Sequence, residues 1–95
     1  MFNELIHDTN KHQFRIESEG QAALLNYHKQ PGKIIFLHTE VPPAWEGRGI
    51  GSRLAKAGLE YARARNLQVV PLCPFVAAYL EQHPEYADLV HNAAE

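Results

Sequence analysis

The run Glu46-Gly47-Arg48-Gly49-Ile50-Gly51 puts three glycines within five residues. Glycine lets a backbone turn sharply and approach a ligand with no Cβ in the way. Directly after it, Ile50, Leu54, Ala57/Gly58 and Tyr61 repeat at helical period. A helix opening on such a loop points the unpaired N–H groups of its first turn, and the positive end of its dipole, at whatever sits before it. That is anion-binding chemistry, and the loop is expected to grip a diphosphate.

Two common phosphate loops do not fit. A nucleoside-triphosphate loop ends in Gly-Lys-Ser/Thr after four intervening residues, whereas Gly51 is followed by Ser52-Arg53. A dinucleotide fingerprint requires glycine three positions after Gly49, where Ser52 stands, and no strand–helix–strand unit precedes the loop.

The elements that must position the loop are legible from periodicity and turn residues. Leu5 to Thr9, Gln13 to Ser18 and Ala22 to His28 are predicted strands of an antiparallel meander; Phe14, Ile16 and Ser18 alternate with Arg15 and Glu17, giving one buried and one wet face. After the Gln30-Pro31-Gly32 turn, Lys33 to Val41 is apolar on both faces in its first half, which predicts a central strand. Pro42-Pro43 ends it, since neither proline can donate to a ladder. One helix is expected from Ile50 to about Arg65, closed by Asn66 in a left-handed conformation. Leu67 to Leu72 follows as a short strand parallel to the central one. Phe75 to Gln82 is a second helix with Phe75, Ala78, Tyr79 and Gln82 on its stripe, stopped by Pro84. Glu85 to Val90 adds a helical turn or a last strand, and His91 to Glu95 frays.

This order, with Glu46, Gly49 and Gly51 at the spacing Gln/Arg, two residues, Gly, one residue, Gly/Ala, resembles the GNAT superfamily of N-acetyltransferases along nearly the whole chain. Glu46 departs from the usual Gln or Arg. The stretches His38-Thr39-Glu40-Val41-Pro42 and Pro71-Leu72-Cys73-Pro74-Phe75 resemble the small single-domain group related to the human N-acetyltransferase-domain protein. The resemblance implies an α+β, mostly antiparallel, truncated acyl-CoA N-acyltransferase fold, with a crossover helix and a second C-terminal helix. It implies acetyl-CoA as cosubstrate and transfer of acetyl to a primary amine, possible acceptors including a protein or peptide. The alternative is a coenzyme A binding or sensing module with little catalysis, because no helices fit between the first strands to shape an acceptor site.

Within that resemblance, backbone of Leu37, Thr39 and Val41 pairs with the pantetheine arm. Gly47, Arg48, Gly49, Ile50, Gly51 and Ser52 donate to the diphosphate, and Arg53 adds charge. Acetyl transfer needs a base for the ammonium, a donor for the oxyanion and an acid for the leaving thiolate. His38 and Glu40, two apart on one strand face, are the candidate bases. Tyr79 stands where many members place the acid, with a core anchor as its other reading. Cys73, before a helix start, is either pocket lining or a nucleophile.

Composition sets the outer bounds. At 95 residues and 10.7 kDa, with 45% hydrophobic and 21% charged residues, the chain is expected to form a single domain over residues 1–95. No apolar run approaches the roughly 20 residues that cross a bilayer, and the start lacks a signal-peptide pattern, so a cytoplasmic location without a membrane partner is expected. The sole cysteine, Cys73, has no disulfide partner. A net charge of −2 with no basic stripe argues against nucleic acid. The remaining histidines show no ligand spacing, so no metal is expected.

Overall fold

The computed structural model describes residues 4–90. Four strands, β1 (Leu5–Asp8), β2 (Gln13–Ser18), β3 (Gln21–Gln30) and β4 (Lys33–Glu40), form the antiparallel meander. Helix α1 (Ile50–Ala64) leads to β5 (Gln68–Pro71), which pairs parallel to β4, and helix α2 (Pro74–Gln82) follows. The sheet order is β1-β2-β3-β4-β5, so β4 is bonded on both sides while β3, not β4, is the middle strand. A short 3-10 helix spans Pro43–Trp45, inside what the sequence predicts as loop.

Helices cover one face of the sheet. Phe14, Ile16, Ala23, Leu25, Tyr27, Ile34 and Phe36 point from the strands into the core, where they meet Ile50, Leu54, Ala55, Leu59 and Ala62 of α1. The alternation in β2 follows from this one-sided cover: Phe14 and Ile16 are buried, while Arg15 lies on the other face and holds Asp8 and Glu17 at 2.7 Å each. Gly58 brings α1 close to the sheet, because a Cβ there would meet Phe36 Cε1 at 2.7 Å.

The chain ends its elements where the local chemistry allows. Asn66 has φ 56°, the left-handed conformation that Asn tolerates, and closes α1. Beyond α2 the last segment takes the helical alternative: Pro84–Leu89 is 3-10 helix, and in place of a strand Val90 makes a single isolated parallel bridge to Val69. The expected fraying of His91 to Glu95 lies outside the described residues. In α2 the buried residues are Val76 and Tyr79, whereas Phe75 and Ala78 are exposed, so the predicted stripe is out of phase at its first turn.

Candidate functional site

Two features of β4 open a cleft. Its register with β3 runs Tyr27 to Phe36 and then Asn26 to His38, so Leu37 is an extra residue, a β-bulge that bends the strand. Its pairing with β5 ends at Phe36 opposite Pro71, where the Cys73 N–H donates to Phe36 O at 2.9 Å. On the other side β4 stays paired as far as Glu40 opposite Leu24. From Leu37 onward β4 therefore keeps its β3 partner and leaves β5 behind.

The gap is continuous with a cavity of about 860 Å³ lined by Thr39, Glu40, Val41, Glu46, Gly47, Gly49, Ile50, Gly51, Ser52 and Phe75, among others. The start of α1 forms one wall. Gly47 (φ 84°) and Gly49 (φ 75°) take left-handed backbone that a side chain would strain, and Gly49 is the N-cap. No side chain caps the helix, and its hydrogen bonding begins with Arg53 N–H to Gly49 O at 3.1 Å. Helix geometry leaves the N–H groups of Ile50, Gly51 and Ser52 without intrahelical acceptors, on the side of the cavity. With no acidic residue in the first turn, the dipole's positive end is not offset from within the helix.

The register sorts the candidate chemical groups onto two faces. Thr39 is opposite Leu25, on the helix side, and its Oγ1 lies 3.1 Å from Cys73 Sγ across the gap. His38 is opposite Asn26 and Glu40 opposite Leu24, on the open face. There His38 Nε2 and Glu40 Oε2 are 2.8 Å apart, both more than half exposed. A carboxylate only accepts, so the imidazole Nε2–H donates and Nδ1 is left as the basic atom.

The expected site residues thus separate into groups. Thr39, Val41, Gly47, Gly49, Ile50, Gly51 and Ser52 line one cavity together with Glu40, whereas Leu37, Arg48 and Arg53 do not line it. His38 reaches it only through Glu40. Cys73 is buried beneath Thr39. Tyr79 does not line the cavity: its ring stacks on His83 at 4.0 Å and tilts against Tyr86, and burial first, then Glu85 and Glu60, push its phenol above the ordinary value. Trp45 is largely buried and also lines the cavity. Sequence reasoning missed Phe75 and Ala22, both cavity residues. Phe75 carries helical spacing shared with Tyr79, and nothing in that spacing marks which aromatic stays open. Among the described residues no group of three His, Cys, Asp or Glu side chains converges as a metal site, and no helix is long and apolar enough to cross a membrane.

A meander whose fourth strand parts from a parallel fifth strand beside an uncapped, glycine-opened helix defines an acetyltransferase fold of the GNAT type. The chain belongs to the GCN5-related N-acetyltransferase family, whose model it matches over residues 13–89. It is 36% identical over 81 residues to Protein NATD1 of Gallus gallus, covering 82% of this chain and 74% of that protein. Protein NATD1 of Homo sapiens is equally similar, with 72% of its length covered. The solution NMR structure of a GCN5-like protein from Staphylococcus aureus superposes with a TM-score of 0.75 at 28% identity, over 94% of this chain and 88% of that one.

Proposed function

We propose that this protein transfers the acetyl group of acetyl-CoA to a primary amine by direct attack within a ternary complex. The observation that carries the reading is the single cavity shared by the uncapped start of α1 and the stretch of β4 that β5 has left. Its donor set suits the carrier: amides at Ile50, Gly51 and Ser52 for a diphosphate, and backbone of Thr39 and Val41, continued along β4 by Leu37 just outside the cavity, for a peptide-like arm. Arg48 and Arg53 flank the loop and add positive charge near the nucleotide.

The acceptor reaches the thioester from the open face. Glu40, on the cavity wall, draws the ammonium in. His38 takes its proton at Nδ1, directly or through water, and Glu40 stabilises the imidazolium that forms. The free amine attacks the thioester carbonyl; the N–C bond forms, the C–S bond breaks, and the sulfur leaves as thiolate, which takes up the second proton that the nitrogen sheds on becoming an amide. Main-chain N–H groups of β4 polarise the carbonyl oxygen. Cys73, tied to Thr39, lines the sulfur's surroundings, and its burial supports that role over attack on the thioester. No proton is routed through Tyr79.

Incubation with labelled acetyl-CoA and a panel of amines and basic peptides tests this: the expected result is product that falls on His38 substitution. One observation favours a second reading, a coenzyme A binding module. No helix separates β1 from β2, so on the acceptor side the cleft has only the open sheet face. Binding with no product above background would support that reading.

A further inference from the structure

Gly51 is a glycine for a different reason from its neighbours. Gly47 and Gly49 carry left-handed backbone with nothing within 4 Å of an added Cβ, whereas Gly51 lies in ordinary helical backbone. Glycine there costs helix stability relative to alanine and gains no conformation in return. Its neighbour supplies the reason. A Cβ at Gly51 would lie 2.7 Å from Cζ of Phe75 and 3.1 and 3.2 Å from Cε2 and Cε1. The tip of the ring is therefore seated end-on against the first turn of α1, the turn whose amides face the cavity. Phe75 is 40% exposed; among the described residues it is, with Leu37 and Leu72, one of three large apolar side chains left open, and the one of them that lines the cavity. An apolar ring held open inside a cleft, beside polar donors, is the surface that the apolar part of a mixed ligand covers.

We propose that Phe75 is a positioning residue for the acyl carrier. Its ring, seated on Gly51, walls the cleft on the α2 side while Val41 lines it on the β4 side, and it packs against the pantetheine arm where the arm meets the diphosphate. That contact sets how deep the thioester reaches toward Thr39 and Cys73. The inference rests on the coenzyme A reading above and adds a residue whose role is apolar contact and not anion binding.

Calorimetry with two probes separates the possibilities: coenzyme A, and ADP, which carries a diphosphate but no arm. Covering the open part of the ring predicts that Phe75→Ala weakens coenzyme A about ten- to thirtyfold and ADP by less than about twofold, with Phe75→Leu in between. Gly51→Ala, which displaces the ring, weakens coenzyme A in the wild-type background and adds little in the Phe75→Ala background. Should Phe75→Ala unfold, Phe75→Leu keeps the apolar bulk and the same two-probe comparison decides. Equal losses for both probes, or no loss for coenzyme A, overturn the positioning role while wild-type binding leaves the carrier reading intact. Failure of the wild type to bind coenzyme A removes both.

Discussion

Replacing Gly58 by alanine sets two effects of known sign against each other. Alanine in the interior of α1 gains about 1 kcal/mol of helix propensity over glycine. The new Cβ, however, would lie 2.7 Å from Cε1 and 2.8 Å from Cζ of Phe36, and 3.4 Å from Cδ2 of Leu25. Carbon atoms pack best at about 3.5–4.0 Å, so the ring or the helix must shift by close to ~1 Å. Neither has room, since Phe36 and Leu25 are fully buried and Phe36 is backed by Tyr27. Overpacking of this kind costs about 1–3 kcal/mol, and a clash with two ring atoms belongs at the upper end. The net expectation is a loss of about 1–2 kcal/mol, which for a domain of this size lowers Tm by about 5–15 °C. Thermal and urea unfolding followed by circular dichroism measure it. Phe36→Leu makes space, so the same glycine change should cost less in that background. A Gly58→Ala protein as stable as the wild type, or more so, would refute the close approach of α1 to the sheet.

The remaining expectations concern the site and its surroundings. His38→Gln lowers kcat about a hundredfold, the scale of lost general-base catalysis, and Glu40→Gln lowers it less, both read in the labelled transfer assay at saturating acetyl-CoA. Tyr79→Phe leaves kcat within about twofold of wild type, because Tyr79 is not among the residues that line the cavity; a large drop would place the acid there after all. His7, stacked on Phe14 and bonded to Tyr27 OH at 2.7 Å, has its pKa lowered by burial and by Lys29 and Arg65. The folded state thus favours neutral His7, so stability present above pH ~6.5 falls as pH drops through the folded pKa. Melting curves from pH 7.5 to 5.5 should show that fall, and His7→Phe should flatten it.

Much of this arrangement was legible because punctuation and period agree. Pro42-Pro43 and the helical spacing from Ile50 bracket the glycine loop, and Asn66 takes the left-handed φ that ends α1. The cleft itself was not readable from the residues. Ile34 to Leu37 form an unbroken apolar run, and such a run hides the bulge at Leu37 and the point where β5 departs, both of which depend on pairing across strands. The same holds for Phe75. Its spacing with Tyr79 predicts a shared stripe, yet Val76 takes the buried position and Phe75 turns to the cavity. That His38 and Glu40 share a face follows from strand period alone, but that Glu40 and not His38 lines the cavity required the structure.

Backbone amide shifts of Ile50, Gly51 and Ser52, followed in two-dimensional NMR spectra as coenzyme A is added, probe the diphosphate grip without any variant. New charge-assisted hydrogen bonds should move these three resonances downfield, with Gly49 and Thr39 shifting alongside and residues of β1 unmoved. If the three stay in place while coenzyme A perturbs resonances elsewhere, the start of α1 is not the anion site.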